Sequence, residues 1–597
     1  MEKFNKKLFL LFFILAGILL SNSIPRSEYP RPEMVREEWL NLNGWWDFAF
    51  DFSNTGEEKG FPQGKGFDRK ILVPFAPESE LSGVGFLDFV NAVWYRRIIS
   101  IPEKWKGKRI LLHFEAVDYK TTVWINGKRV GEHEGGYTPF SFDVTEFLKP
   151  SENFLIVKAF DDLRKGLQPC GKQSSRLDSY SCFYSRTTGI WQTVWLEPVN
   201  DFYIEKYKVY PEVENGEVSI FVYMNTAPED GELCLNATFN GKRKFYSWKK
   251  AKKVTLFNIK IKDPKLWSIH QPDLYDMEIS YSRGNRTIDR ITGYFGLRKI
   301  EVRGNKIYFN GKPLFLRMVL DQGFYPDGIY TAPSDEALKK DIEISKDLGF
   351  DGARLHQKVF ERRFLYWADK LGYIVWGEFA DWGLDFSKPE SYMIFTKQWG
   401  EAIERDFNHP SIIGWCPLNE QWGNPFPGVV ENIFKFTKLL DSTRLIIDSS
   451  GGFHHVSPDV FDSHNYEQNP EKFKNGFEGL LQSPPKVFIW GGEERNAPYE
   501  GQPFFVSEYG GIWWNPNQKD EKAWGYGERP KSEEEFIDRY KKLTEALLLN
   551  PAIAGFCYTQ LYDIEQEVNG LYTFDRKPKF NSEIFRKINQ QKAAIED

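Results

Sequence analysis

The chain has 597 residues, with 78 Lys and Arg against 84 Asp and Glu, for a net charge of -6. This length predicts several domains rather than one. The mild negative charge gives no electrostatic footprint for nucleic acid or an anionic membrane.

The N-terminus, MEKFNKKLFLLFFILAGILLSNS, has a basic start at Lys3, Lys6 and Lys7 and an apolar run from Leu8 to Leu20. That run is short for a membrane span, and Ser21-Asn22-Ser23 resembles a small-x-small cleavage site. Residues 1–23 are therefore expected to be a signal peptide cut near Ser23, exporting the chain to the periplasm or the outside, the alternative being an uncleaved membrane anchor; no later segment is fit to span a bilayer. The five cysteines, Cys170, Cys182, Cys234, Cys416 and Cys557, are odd in number and lack a CxxC spacing, so they form no disulfide framework or structural zinc site. Cys170 and Cys182 could bridge within one loop, or all five could be free thiols.

Residues 24–200 alternate apolar and polar positions in segments such as RRIISIPEKW, TTVWINGKRV and NFLIVKAF. Asn126-Gly127 is a strong hairpin turn, and the regular short strands predict a jelly-roll β-sandwich. Residues 201–302 continue with about seven short strands, which fits an immunoglobulin-like sandwich. From 303 to 597 the texture changes to apolar runs alternating with helical patterns. Strands are predicted at 314–318, 352–355, 374–378, 412–418, 444–448, 460–464, 504–508 and 553–558. Ser334, Gly349 and Gly372 supply helix starts and stops. The alternation predicts a (β/α)8 TIM barrel.

A barrel places its chemistry at the carboxyl ends of its strands. Glu420 follows strand four in GWCPLNEQWG, and Glu508 ends strand seven in PFFVSEYGG. Glu378 ends strand three, with Asp381 just beyond. One glutamate at a strand end is ordinarily a solvated loop residue. Two on opposite sides of one mouth, flanked by Asn419 and Tyr509, suit glycoside hydrolysis, which needs a protonated acid and a facing carboxylate. Arg354 could keep a nearby carboxylate ionised, or form a structural ion pair. His356, His464 and Tyr466 are further donors, although packing is the commoner fate of such residues. Trp376, Trp513 and Trp514 read equally as packing residues or sugar platforms.

These features resemble glycoside hydrolase family 2, which holds β-galactosidases, β-glucuronidases and β-mannosidases. The motifs are GKRILLHFEAVDYKTTVWINGKRVGEHEGGYTPFSFDVT at 107–145, FNGKPLFLRMV at 309–319, GWCPLNEQWG and FVSEYGG. The resemblance implies a retaining mechanism without cofactor or metal, with Glu508 as nucleophile and Glu420 as acid/base. It also implies that Asn419 binds the sugar 2-hydroxyl and Tyr466 positions the nucleophile. An ionised Glu508 is expected to raise the pKa of Glu420. Family β-glucuronidases carry an Asn-x-Lys pair before a GIFTRDRKPK-like run; here Glu567 and Asn569 stand at those places, and an acid there would repel a uronate. Tyr558 stands where the family has a strand-eight Trp. The magnesium ligands of the large bacterial β-galactosidases are not recognisable, because EFADWG lacks their His. The stretch 320–343 resembles a branch usually labelled β-galactosidase, and its Asp321 could contact sugar or cap the loop.

The expected function is exo-acting hydrolysis of terminal neutral sugars, foremost β-galactosides, from an oligosaccharide or glycoconjugate. The rivals on the same scaffold are a β-glucosidase, β-mannosidase, α-L-arabinopyranosidase or β-glucuronidase. A different class of rival is a carbohydrate-binding protein without activity. The family also implies homo-oligomer contacts through the sandwich domains.

Overall fold

The computed structural model describes residues 24–165, 167–489, 496–515 and 522–596. The expected signal peptide, residues 1–23, lies outside the described residues. Among these residues, no helix is long and apolar enough to cross a membrane.

The first sandwich pairs a six-stranded sheet with a four-stranded one. Its strands Lys120–Ile125 and Lys128–Glu134 form the expected hairpin. Asn126 and Gly127 take φ of +52° and +79° at the turn, which a hairpin of this twist requires. The second sandwich has sheets of five and three strands. Its five-stranded sheet recruits Met34–Val35 from near the start of the chain, which pair with Thr292 and Gly293. A buried ion network ties the two sandwiches: Arg36 reaches Glu197 at 2.8 Å and Asp289 at 2.9 Å. Arg362 of the barrel extends it, binding Glu33 and, at 3.1 Å, Glu115.

The barrel strands are β1 (Leu316–Asp321), β2 (Gly352–Leu355), β3 (Ile374–Glu378), β4 (Ile412–Cys416), β5 (Leu445–Ile446), β6 (Phe461–Asn465), β7 (Phe504–Gly510) and β8 (Ile553–Thr559). All pairings are parallel, in the order β5-β4-β3-β2-β1-β8-β7-β6. The seam between β5 and β6 is closed by Asp459, whose backbone N–H donates to the Ile446 carbonyl at 3.1 Å while its carboxylate accepts from the Ile446 N–H at 2.8 Å.

The helices are α1 (Asp335–Asp347), α2 (Arg362–Leu371), α3 (Pro389–Asp406), α4 (Val429–Leu440), α5 (Pro470–Phe477), α6 (Glu533–Leu548) and α7 (Ser582–Asn589). Ser334 caps α1 and Gly372 ends α2 in the left-handed region at φ +66°. Helices α5 and α7 are absent from the sequence reading although each follows an Asn cap. They are only two turns long, too short for a strong periodic signal.

Several strand boundaries shift by a residue or two, and two of the shifts have a clear cause. The opening strand starts at Leu316 rather than 314, because Lys312–Leu314 pairs antiparallel with Lys306–Phe309. The predicted strand 412–418 breaks at Pro417, which has no N–H for the ladder. The following piece, Leu418–Asn419, pairs instead with Ser449–Ser450 beyond β5. All five cysteines are free thiols, so Cys170 and Cys182 are not bridged.

Candidate active site

The break at Pro417 delivers Glu420 to the barrel mouth. Its backbone N–H donates to the Ser450 carbonyl at 2.8 Å, and its own φ is +50°. A non-glycine residue held in this region is strained, and such strain clusters at sites where a side chain must be aimed. Glu508 lies within β7, 5% exposed. Glu420 is more open, its side chain 25% exposed.

Arg354 of β2 organises the floor. It is fully buried, and its planar fork reaches three partners: Glu378 at 2.7 Å, Glu508 at 2.8 Å and the Asn419 side-chain oxygen at 2.6 Å. Burial opposes its charge, but Glu378 and Glu508 overwhelm that and keep it protonated. Fixing the Asn419 oxygen leaves the amide nitrogen to donate to a sugar hydroxyl.

His464 of β6 stands between the two glutamates. Its Nδ1 is 2.8 Å from Glu420 Oε1 and its Nε2 is 3.4 Å from Glu508 Oε1. One ligand atom from each of Glu420, His464 and Glu508 lies within 4.8 Å of the others. Among the described residues, these are the three side chains of metal-ligand type that converge so closely. The imidazole itself supplies positive charge there: burial lowers its pKa, but the Glu508 and Glu420 carboxylates raise it above its ordinary value. Burial likewise pushes Glu420 and Glu508 up, and His464, with Arg354, outweighs it and holds both below the usual range. The expected rise of Glu420 is thus reversed, because a shared imidazolium separates it from Glu508.

Tyr466, just past β6, donates its hydroxyl to Glu508 Oε2. Its ring stacks on Tyr526 at 3.5 Å between centroids, almost parallel. His356 Nδ1 sits 3.0 Å from Glu378 and 3.9 Å from Glu508. Burial, helped by the nearby Lys172 charge, lowers its pKa far enough to keep it neutral.

Four residues read as possible sugar contacts are placed elsewhere. Trp376 is fully buried and stacks on Phe505 of β7 inside the barrel, so it is core. Tyr558 is also fully buried and packs edge-on against Tyr509 and, at 4.9 Å, against Tyr540 of α6. It faces the helical layer, and the next residue, Thr559, turns inward to meet the Tyr466 hydroxyl at 3.1 Å. Asp321 caps its loop, accepting from the Gly323 N–H at 2.9 Å and from the Tyr562 hydroxyl. Trp514 packs against Phe536 of α6 and is core as well.

Glu567 and Asn569 lie buried together on the segment after β8. Asn569 donates to Glu567 Oε1 at 2.9 Å, and the Tyr184 hydroxyl donates to Oε2. Gln560 donates to Asn569 at 2.9 Å, and Gln322 donates to both Gln560 and Tyr184, closing a ring of hydrogen bonds with Glu567 as final acceptor.

Tyr184 belongs to the first sandwich, and sequence reasoning did not place it here. It lies on a loop that crosses to the barrel mouth, where the Cys170 and Gly171 N–H groups bind the Trp382 carbonyl at 2.8 and 3.2 Å. Gly171 has φ +55°, and a Cβ there would lie 2.2 Å from the Gln357 carbonyl, so only glycine permits the approach. Lys172, next in the chain, holds its ammonium 3.9 Å from the Trp382 ring centroid. The Trp382 indole donates to the Asn419 carbonyl at 3.1 Å. Trp382, Phe183 and Tyr180 form a run of aromatic rings leading outward.

Asp381 braces the acid loop, accepting from the Asn419 N–H at 3.1 Å and from Gln421 at 2.7 Å. Burial pushes its pKa from 3.8 to about 8. A carboxyl raised in the fold adds stability that is complete below about 4 and is lost as pH rises toward 8. Asp381→Asn removes that dependence, so its melting temperature should gain on the parent's between pH 5 and pH 8. A constant difference in melts at pH 5, 6.5 and 8 would show that Asp381 is ionised throughout.

Three family models match consecutive parts of the chain. The glycosyl hydrolases family 2 sugar binding domain matches residues 86–196, the glycosyl hydrolases family 2 model 202–298, and the family's TIM barrel domain 300–593. A β-galactosidase of Thermoanaerobacter pseudethanolicus is 31% identical over 55% of this chain and 44% of its own length. The chain thus spans less than half of that relative. A β-galactosidase of Thermoanaerobacterium thermosulfurigenes is 27% identical over 82% of this chain and 68% of its own. A β-glucuronidase of Bacteroides fragilis is 24% identical over 92% and 81%. The solved β-glucuronidase of Ruminococcus gnavus superposes with a TM-score of 0.77 over 95% of this chain and all of its own, at 19% identity, a likeness of fold.

Proposed function

This chain belongs to glycoside hydrolase family 2, and from that premise we propose that it is an exo-acting, retaining β-glycosidase whose foremost substrates are terminal β-galactosides. The observation that carries the mechanism is the closeness of the two carboxylates, with oxygens of Glu420 and Glu508 within 4.8 Å. A separation of about 5–5.5 Å suits a covalent intermediate, whereas inversion needs roughly 6.5–9.5 Å for a water between.

In this reading Glu508 attacks the anomeric carbon. Arg354 and Tyr466 fix one oxygen each, so the carboxylate is aimed before substrate arrives. Glu420 protonates the leaving oxygen. Its hydrogen bond to the His464 imidazolium puts a proton beside it even though the resting carboxylate is ionised. Bond formation at Glu508 removes part of the charge that held His464 protonated; Glu420 then takes a proton from a water whose oxygen attacks the anomeric carbon, breaking the bond to Glu508 and freeing the sugar. Asn419 holds the 2-hydroxyl, a contact that strengthens as the ring flattens in the transition state.

The neutral sugar is supported by Glu567 at the subsite wall and by the two relatives named β-galactosidase. A β-glucuronide is the second reading, favoured by the relative of that name that aligns with most of the chain.

Matched 4-nitrophenyl β-galactoside, glucoside, mannoside and glucuronide test the proposal. Galactoside is expected to be cleaved fastest, and the first sugar released, followed by NMR, is expected to be the β-anomer. Release of the α-anomer first would overturn the retaining mechanism, and a faster arm would replace the sugar.

A further inference from the structure

The first sandwich places a cation in the sugar site that the mechanism above does not use. Lys172 is 7% exposed as a residue, so most of its side chain is covered. It rests against the Trp382 ring, yet no carboxylate oxygen among the described residues comes within 4.0 Å of it, and none accepts a hydrogen bond from it. An ammonium on so covered a side chain, with no carboxylate in reach, is well placed to donate to a polar group that enters the mouth. Glu567, on the β8 side of the same mouth, has the opposite vacancy. Each of its oxygens accepts one protein donor, from Asn569 and from Tyr184, and retains a lone pair. The two residues are tied through Tyr184, whose backbone N–H donates to the Lys172 carbonyl at 2.8 Å while its hydroxyl holds Glu567.

We infer that Lys172 and Glu567 clamp one hydroxyl of the terminal sugar between them, and that this clamp selects a neutral sugar over a uronic acid. The inference rests on the glycosidase reading and adds how that site chooses its sugar. A hydroxyl accepts from an ammonium and donates to a carboxylate at the same time. A uronate carboxylate only accepts. It satisfies Lys172, but against Glu567 it sets oxygen to oxygen with no proton between. Lysine alone would attract a uronate, and glutamate alone would repel it; the two together read a group that is both donor and acceptor. The charges support each other as well. Burial holds Glu567 above its ordinary value, and Lys172 is the foremost charge opposing that rise.

The test is kcat/KM on 4-nitrophenyl β-galactoside and β-glucuronide for the full chain and three variants. The parent should prefer galactoside by at least ~100-fold, a modest fraction of the ~10⁴-fold that hydroxyl-reading sites reach. Glu567→Gln should move that ratio at least ~100-fold toward the glucuronide, since Lys172 is left facing the uronate alone. Lys172→Met should move it the other way by about tenfold or more. The double variant should lose less galactoside activity than the two single losses multiplied, which a merely structural role for either residue does not produce. A parent that cleaves glucuronide as fast as galactoside, or a ratio in Glu567→Gln within threefold of the parent's, overturns the clamp. If Glu567→Gln does not fold, an unchanged ratio in Lys172→Met does so. If the parent releases nothing from either substrate, the glycosidase reading falls instead. The clamp is then judged by calorimetric titration with galactono-1,5-lactone and glucaro-1,5-lactone, where tighter binding of the second overturns it.

Discussion

Glu508→Ala is expected to lower kcat on an aryl β-glycoside by on the order of 10⁴-fold or more, the scale on which covalent catalysts lose their nucleophile. The surroundings give the reason. Arg354 and His464 hold the Glu508 carboxylate ionised against its burial, and Tyr466 orients it, so three residues are arranged around one attacking oxygen pair. Alanine removes the attacker and leaves that cradle empty. Added azide then has room to act in its place, and the product should be the α-glycosyl azide, formed by one displacement. Glu420→Ala should lose less on substrates with good leaving groups, and azide should return the β-glycosyl azide, because the covalent step survives. Near-normal turnover by Glu508→Ala, or the same azide anomer from both variants, would refute the assignment.

Arg354→Met should be the most damaging change outside the carboxylate pair. One guanidinium serves Glu378, Glu508 and Asn419 at 2.6–2.8 Å in a fully buried setting. Removing it leaves two carboxylates facing each other without a counter-charge. Breaking a buried pair in this way costs about 3–5 kcal/mol. Protons drawn in to neutralise them would make Glu508 a poor nucleophile, so kcat should fall as well, by about 10²-fold or more. Arg354→Lys should rescue little, since an ammonium lacks the planar fork that spans three directions. Denaturant melts and kcat decide the matter. A loss under about 1 kcal/mol with kcat intact would mean that the guanidinium is dispensable to both fold and chemistry.

Much of this was legible in the chain. Runs such as Ile374–Glu378 and Phe504–Gly510 are largely apolar because both faces of a barrel strand are buried, and each carries its acid at or near its carboxyl end. The turn at Asn126-Gly127 and the cap at Ser334 are local chemistry, readable from a few residues. What failed has a common physical cause. In an all-apolar strand, no alternation tells the inside from the outside, so Trp376 and Tyr558 could not be assigned a face. For β8, the difference between Tyr558 and Thr559 is one residue and hence opposite sides of the sheet. β5 is two residues long and has no helix after it among the described residues, so its periodic signal is slight. Lys172 and Tyr184 meet Trp382 and Glu567 only in three dimensions, across a gap of some hundreds of residues. Nothing in their own neighbourhood announces the meeting. Asp381 was noticed for its position alone; its task of holding the loop behind Glu420 depends on burial, which a sequence does not state.

The glycine at 171 has a wider consequence. By letting one backbone press against another at a distance no side chain tolerates, it docks a foreign loop into the catalytic cup. The cup is therefore split property: the barrel owns the bond-breaking tools, and its neighbour owns part of the grip. Excised alone, residues 303–597 would keep both glutamates and lose the lysine and tyrosine that complete the wall. Choice of sugar and bond-breaking thus sit on separate domains, and the loop's landing strip at Gln357 and Trp382 is where the two are held in register.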